Sequence, residues 1–197
     1  MDKILILAGG YSNEREISLI TAKSVIHELK KNKKYKLLLI EPDGSFVKKL
    51  RKFKPNLVLN LLHGRYGEDG YIQSILESEK VRYTHSGVLS SSLAIDKELS
   101  KKIFIENNIL TPLHIKFSFK NNLNIKNTIK KIEKKLKFPV VLKPINEGSS
   151  VGVYICNKKN FNRNLMKLEK YKDILIEKYI PGREIQAAIL GKKKLGI

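Results

Sequence analysis

Residues 139–153, Pro-Val-Val-Leu-Lys-Pro-Ile-Asn-Glu-Gly-Ser-Ser-Val-Gly-Val, combine more chemically useful types at close spacing than any other stretch of this 197-residue chain. An apolar run ends at Lys143, a small polar turn spans Asn146 to Ser150, and a second apolar run starts at Val151. Apolar, loop, apolar at this length predicts a strand–loop–strand hairpin. Gly148 lets the backbone approach a ligand closely, and Ser149 and Ser150 add hydroxyls to the free N–H groups of the turn. Such a loop can wrap an anion as a nest of donors. Lys143, at the end of a buried strand, would set a point charge beside that anion. The pattern is not a Walker loop, because no Gly-x-x-x-x-Gly-Lys-Ser/Thr leads into a helix. A hairpin closing over phosphates fits these residues, and so does an ordinary Gly/Ser hairpin with a snorkelling lysine.

Two further polar clusters, Gly9–Glu16 and His63–Gly70, each follow an apolar run. The runs Ile4–Leu7, Leu37–Ile40 and Leu57–Leu62 read as short buried strands. Asn13 followed by Glu16 reads as a capping box, after which Leu19, Ala22, Ile26 and Leu29 share one helical face. Strands alternating with helices predict a doubly wound parallel sheet covered on both sides, with ligands beyond the carboxyl ends of its strands. From about Ser90 the pattern changes. A helix with Leu99, Ile103 and Phe104 inward leads to a strand near His114–Phe117. Ile125, Ile129, Ile132 and Leu136 make the Lys-rich segment an amphipathic helix. Beyond the hairpin come a helix near Asn160–Glu169, a strand Ile174–Lys178, a turn at Pro181-Gly182 and a strand Glu184–Leu190. Gly191–Ile197 reads as a turn with its return strand barely begun, and a sheet edge left unpaired there suggests a domain cut short.

Composition narrows the class. With 42% apolar residues the chain is globular, and at this length it can bury roughly 70% of its unfolded surface. The single cysteine, Cys156, falls in an apolar run, so it reads as a buried strand residue and no disulfide framework is possible. No long apolar segment or cleavage signature is present, which predicts a soluble, cytoplasmic protein with no membrane partner. The net charge of +20 suggests nucleic acid at first sight. The excess is mostly lysine spread over Asn- and Ile-rich segments, without aromatic residues interleaved as a stacking platform requires. A solvated basic surface is the better reading.

Taken in order, Gly9-Gly10-Tyr11-Ser12-Asn13-Glu14-Arg15-Glu16-Ile17-Ser18, His63-Gly64-Arg65-Tyr66-Gly67-Glu68-Asp69-Gly70 and Lys143–Gly152 resemble the D-alanine–D-alanine ligase family of the ATP-grasp superfamily, over the whole of residues 1–197. The resemblance implies a substrate-binding α/β domain over residues 1–94. An ATP-grasp domain, incomplete in this chain, would follow over residues 95–197. It implies that Glu14 holds the ammonium of the first D-alanine and that His63 lines the same site. Lys97 and Lys143 would lie on the nucleotide phosphates, beneath a loop of Glu147, Gly148, Ser149, Ser150 and Val151. Ser149 would link the glutamate's network to the substrate, which makes Glu14 and Ser149 the catalytic pair. Glu177, Lys178 and Ile180 would read the adenine, and Glu184 the ribose hydroxyls. ATP is the implied cofactor with Mg²⁺ or Mn²⁺, whose ligands would lie beyond Ile197. The full-length protein would be a homodimer working in peptidoglycan precursor synthesis, and the 197-residue chain alone would be inactive. One departure from the family is His85, where a glycine is usual; if that position needs positive φ, His costs something there, although it tolerates this better than most residues. The competing readings are another ATP-grasp ligase, a non-catalytic ligase fragment and a basic nucleic-acid-binding module.

Overall fold

The computed structural model describes residues 1–120, 124–191 and 193–196. β1 (Asp2–Leu7), α1 (Arg15–Lys30), β2 (Tyr35–Ile40), α2 (Phe46–Phe53), β3 (Leu57–Asn60) and α3 (Tyr71–Ser78) form the first layered unit. The strands are parallel in the order β2-β1-β3. Alternation along β1 sends Ile4 and Ile6 toward Ala22 and the partly buried Leu19, Ile26 and Leu29 of α1. Leu5 and Leu7 pack on the other side against Phe46, Leu50, Ile72 and Leu76 of α2 and α3. Because both faces are covered, this central strand is a nearly continuous apolar run. From β1 the chain steps to one side to form β2 and then crosses back past β1 to form β3, so a crevice opens at the carboxyl ends of β1 and β3.

The expected elements of this half are present, with two local corrections. The capping box does not form: Glu14, not Asn13, occupies the cap position of α1, and it makes no side-chain cap bond. Ser12 closes that turn instead, its Oγ accepting from the Glu14 N–H at 3.1 Å. The third strand stops at Asn60 rather than Leu62. Asn60 turns its side chain into the following loop, donating to the Gly67 carbonyl at 2.8 Å and accepting from Leu62 N–H at 3.3 Å. Those bonds bend the chain out of the sheet.

α4 (Val88–Ile95) and α5 (Lys97–Glu106) lead into β4 (His114–Ser118), α6 (Ile125–Lys135), β5 (Val140–Pro144), β6 (Tyr154–Cys156), α7 (Phe161–Met166) and β7 (Asp173–Lys178). The four strands form an antiparallel sheet in the order β4-β7-β5-β6. One face, carrying Val140, Leu142, Cys156, Ile174 and Ile176, packs on Ile132, Leu136, Phe161 and Leu165. The Lys-rich segment is therefore the expected amphipathic helix, with Ile125 and Ile129 against the same core; Asn121, Asn122 and Leu123 lie outside the described residues. Cys156 is fully buried, and burial pushes its thiol pKa up. Strand alternation leaves Val141, Lys143 and Glu177 on the opposite face, with Val141 and Glu177 directly paired.

α5 departs from expectation. Leu99, Ile103 and Phe104 are 40%, 37% and 41% exposed, whereas Lys101 is 5% exposed. The helix turns a lysine inward because the sheet face beneath it presents the carboxylate of Glu177. The expected strand Glu184–Leu190 shortens to β8 (Ala188–Leu190), which pairs with β9 (Lys193–Gly196). The preceding residues 181–187 are exposed and pair with no strand among the described residues. Within the expected terminal turn and return strand, Lys192 and Ile197 lie outside the described residues. No helix among the described residues is long and apolar enough to cross a membrane.

Candidate active site

The start of α5 is set by Asp96, whose carboxylate accepts from the N–H groups of Glu98 and Leu99, each at 2.9 Å. That cap makes Lys97 the first helical residue and aims it at the loop after β5. Its N–H and its Nζ both donate to the Ile145 carbonyl at 3.2 Å, and Nζ also donates to the Glu147 carbonyl. An ammonium has three protons, so one is left for a ligand. Burial, and then the charge of Lys143, lower the Lys97 pKa; Glu147, Glu177 and Glu14 oppose that shift.

The loop between β5 and β6 is tightly wound. Ser149 and Ser150 have φ values of 43° and 61°, Val151 N–H donates to the Gly148 carbonyl at 2.9 Å, and Val153 N–H donates to the Ser150 carbonyl at 3.3 Å. Non-glycine residues held in this region carry strain, which recurs at ligand-clamping loops. Lys143 enters from β5, its Nζ 2.5 Å from one carboxylate oxygen of Glu177, while Lys101 Nζ lies 2.8 Å from the other. Burial acts to raise the Glu177 pKa, but hydrogen bonds from Lys101 and Lys143 outweigh it and hold the carboxyl below its ordinary value.

Lys97, Lys143, the loop Glu147–Val151, Glu177, Lys178 and Ile180 line one open cleft of about 420 Å³. That volume is in the range of small-molecule sites. Ten of the residues singled out in the sequence thus meet in one place. Pro112, Val141, Pro144, Val153 and Tyr179 complete the lining and supply apolar and aromatic walls that sequence reasoning missed. Lys101 was missed too, although its place one turn after Lys97 puts both lysines on one helix face. Glu184 is exposed and lies outside this lining.

Glu14 reaches the same region from the other sheet. It is 1% exposed, and its Oε1 has no hydrogen-bond partner. A side chain on Gly148 would place Cβ 3.0 Å from that oxygen, and one on Gly64 would place it 2.6 Å away. Two glycines from separate loops therefore make room for one carboxylate. Asn13 Nδ2 lies 3.5 Å from Glu147 Oε1 and adds a second contact between the two halves. A buried carboxylate with an open oxygen calls for a cationic donor. Gly148 lies against Glu14, and its neighbour Ser149 is exposed.

His63 lines a separate cavity of about 340 Å³ between Gly9–Tyr11 and Leu62–Gly67. Its Nε2 is 3.4 Å from Thr21 Oγ1, and its carbonyl accepts from Ser12 Oγ at 2.7 Å. Through Ser12 the His63 backbone is tied to the Glu14 turn. His85 does adopt positive φ, 76°, and its Nε2 is 2.8 Å from the Asn60 carbonyl. Among the described residues no group of three or more His, Cys, Asp or Glu could hold a metal ion, so these residues do not by themselves fit Mg²⁺.

A family profile described as "D-ala D-ala ligase C-terminus" matches residues 102–197. The D-alanine–D-alanine ligase of Pelagibacter ubique is 63% identical over 195 residues, covering 98% of this chain and 63% of its own length. That of Wolbachia pipientis wMel is 43% identical, with 98% and 59% covered. Among solved structures, the D-alanine–D-alanine ligase of Bacillus anthracis matches with a TM-score of 0.78 at 36% identity, over 92% of this chain and 59% of that one. The same enzyme complexed with ATP gives 0.75 at 32% identity, over 92% of this chain and 60% of that one. The chain thus spans about three fifths of the length of these relatives. A parallel sheet, an antiparallel sheet and a hairpin loop over a lysine-lined cleft define the ATP-grasp class. Within that class, the chain belongs to the D-alanine–D-alanine ligase family.

Proposed function

We propose that this chain supplies the first-substrate and nucleotide sites of an ATP-dependent ligase that joins two D-alanines in the cytoplasm for peptidoglycan synthesis. In this reading residues 1–94 form the substrate domain and residues 95–197 belong to the ATP-grasp domain. ATP lies in the cleft beneath the hairpin loop, with its adenine toward Glu177, Lys178 and Ile180 and its ribose toward Glu184. Lys97 and Lys143 balance the phosphate charge, and Glu14 holds the ammonium of the first D-alanine. His63 borders the amino-acid side of the site. The carboxylate of that D-alanine attacks the terminal phosphorus of ATP, and ADP leaves. The acyl phosphate so formed is attacked by the amine of the second D-alanine, and the tetrahedral intermediate expels phosphate. Positioning and charge balance carry most of such a phosphoryl transfer. The loop Glu147–Val151, with Ser149 at its tip, excludes water from the acyl phosphate.

The observation that carries the reading is the position of Glu14. Its unpaired, buried oxygen faces Gly148, in the loop that also caps the lysine-lined cleft. An ammonium held there sits next to a nucleotide phosphate, as carboxylate activation requires. The test joins this chain to the segment of the Pelagibacter ubique ligase that follows the matched region. That hybrid, incubated with D-alanine, ATP and Mg²⁺, should form dipeptide and ADP in equal amounts, while the 197-residue chain alone should form none. No ATP-dependent dipeptide from a folded hybrid would reject the proposal. A homodimer is expected for the hybrid, and light scattering measures its mass.

A further inference from the structure

Taking the cleft to hold a nucleotide, as proposed above, we infer that Lys101 is a positioning residue: it keeps the Glu177 carboxylate paired so that Lys143 can exchange that carboxylate for a phosphate. Lys101 does not line the cleft. Its Nζ lies 2.8 Å from one oxygen of Glu177 and donates to Thr111 Oγ1 at 2.7 Å, and its side chain is 6% exposed. Two of its three protons are thereby committed away from solvent. Lys143 holds the other oxygen of Glu177, but it is 23% exposed and borders the cleft. One carboxylate is shared between a lysine that cannot leave and a lysine that can.

An entering phosphate draws Lys143 away from Glu177. Without Lys101 that step would strand a buried carboxylate with no cation, an arrangement proteins avoid. With Lys101 in place the carboxylate keeps a partner, and the cluster facing the phosphate stays net positive. Removing Lys101 should therefore leave Lys143 locked in a one-to-one pair with Glu177 and lower the positive charge available to the phosphate. His114 stands opposite Glu177 in register, and burial followed by the charge of Lys101 lowers its pKa.

The affinity of the 197-residue chain for ATP and for adenosine, measured by NMR titration, separates this role from a structural one. Lys101→Met should raise the ATP Kd about tenfold and shift that of adenosine less than about twofold, because only phosphates call on Lys143. Lys101→Arg keeps the charge and should stay within about threefold of the parent for ATP. In the Glu177→Gln background no carboxylate restrains Lys143, so adding Lys101→Met should change the ATP Kd less than about twofold. That background also keeps the measurement accessible if Lys101→Met alone does not fold. Equal losses for ATP and adenosine, or a loss as large in the Glu177→Gln background as in the parent, would overturn the role assigned to Lys101. A parent chain without saturable ATP binding would instead reject the nucleotide reading beneath it.

Discussion

Replacing Glu14 with glutamine should make the free protein more stable and its amino-acid site weaker. Glu14 is 1% exposed, and its Oε1 lacks a partner. A buried polar group left unpaired costs about 1–3 kcal/mol, and more when charged. Glutamine keeps the shape and removes the charge. Lys97 feels the Glu14 charge, so the carboxylate has some compensation and the gain belongs at the low end, about 1 kcal/mol. For a chain of this size that raises Tm by about 2–4 °C. The ammonium of D-alanine loses a charge-assisted bond worth about 1.5–3 kcal/mol, which weakens its binding about 10- to 150-fold. Differential scanning fluorimetry of the 197-residue chain reads the first effect, and D-alanine titration of the hybrid reads the second. A fall in Tm of similar size would mean that Glu14 holds the fold together rather than waiting for a ligand. Unchanged D-alanine affinity would remove it from the substrate site.

Lys143→Ala should weaken ATP binding about tenfold or more while D-alanine affinity stays within about twofold, since the proposal sets Lys143 against phosphate and not ammonium; equal losses in calorimetric titrations would contradict that division. The depressed pKa of Glu177 makes its charged form stabilising above its ordinary value of 4.5, with the contribution lost as pH falls through the lower folded pKa. Urea unfolding from pH 5 downward should therefore show the parent losing more stability than Glu177→Gln, and parallel losses would contradict the pairing. His85→Ala keeps the positive φ but loses the contact with the Asn60 carbonyl, and should cost about 1–2 kcal/mol. His85→Gly relieves the strain, and its net change should stay within about 0.5 kcal/mol; an equal cost for both substitutions would refute this balance.

The parts of the fold set by local periodicity were legible in the sequence. The Leu19/Ala22/Ile26/Leu29 face, the Ile125–Leu136 face and the hairpin from Val140 to Cys156 all pack as their spacing requires. The apolar stripe of α5 misled because periodicity assumes that carbon faces the core. Here the sheet presents a carboxylate, so Lys101 faces in and Leu99 and Ile103 face out. Glu177 sits in a strand distant in sequence from α5, and nothing near Lys101 in the chain announces that partner. The end of β3 was misplaced for a related reason, since Asn60 bonds to a residue of the next loop rather than continuing the ladder. Candidate site residues came from ordered motifs, which locate positions but not the bonds between them. The approach of Gly148 to Glu14 was not legible, because it depends on how two loops from different sheets meet.

A crystal structure of the hybrid with D-alanine and a non-hydrolysable ATP analogue tests the central claim most directly. The phosphates should lie within hydrogen-bond reach of Lys97 and Lys143 beneath the loop Glu147–Val151, and the D-alanine ammonium should contact Glu14 Oε1. Glu177 should remain bound to Lys101 after Lys143 has turned to the nucleotide. A nucleotide bound elsewhere, or an amino acid whose ammonium lies away from Glu14, would contradict the account.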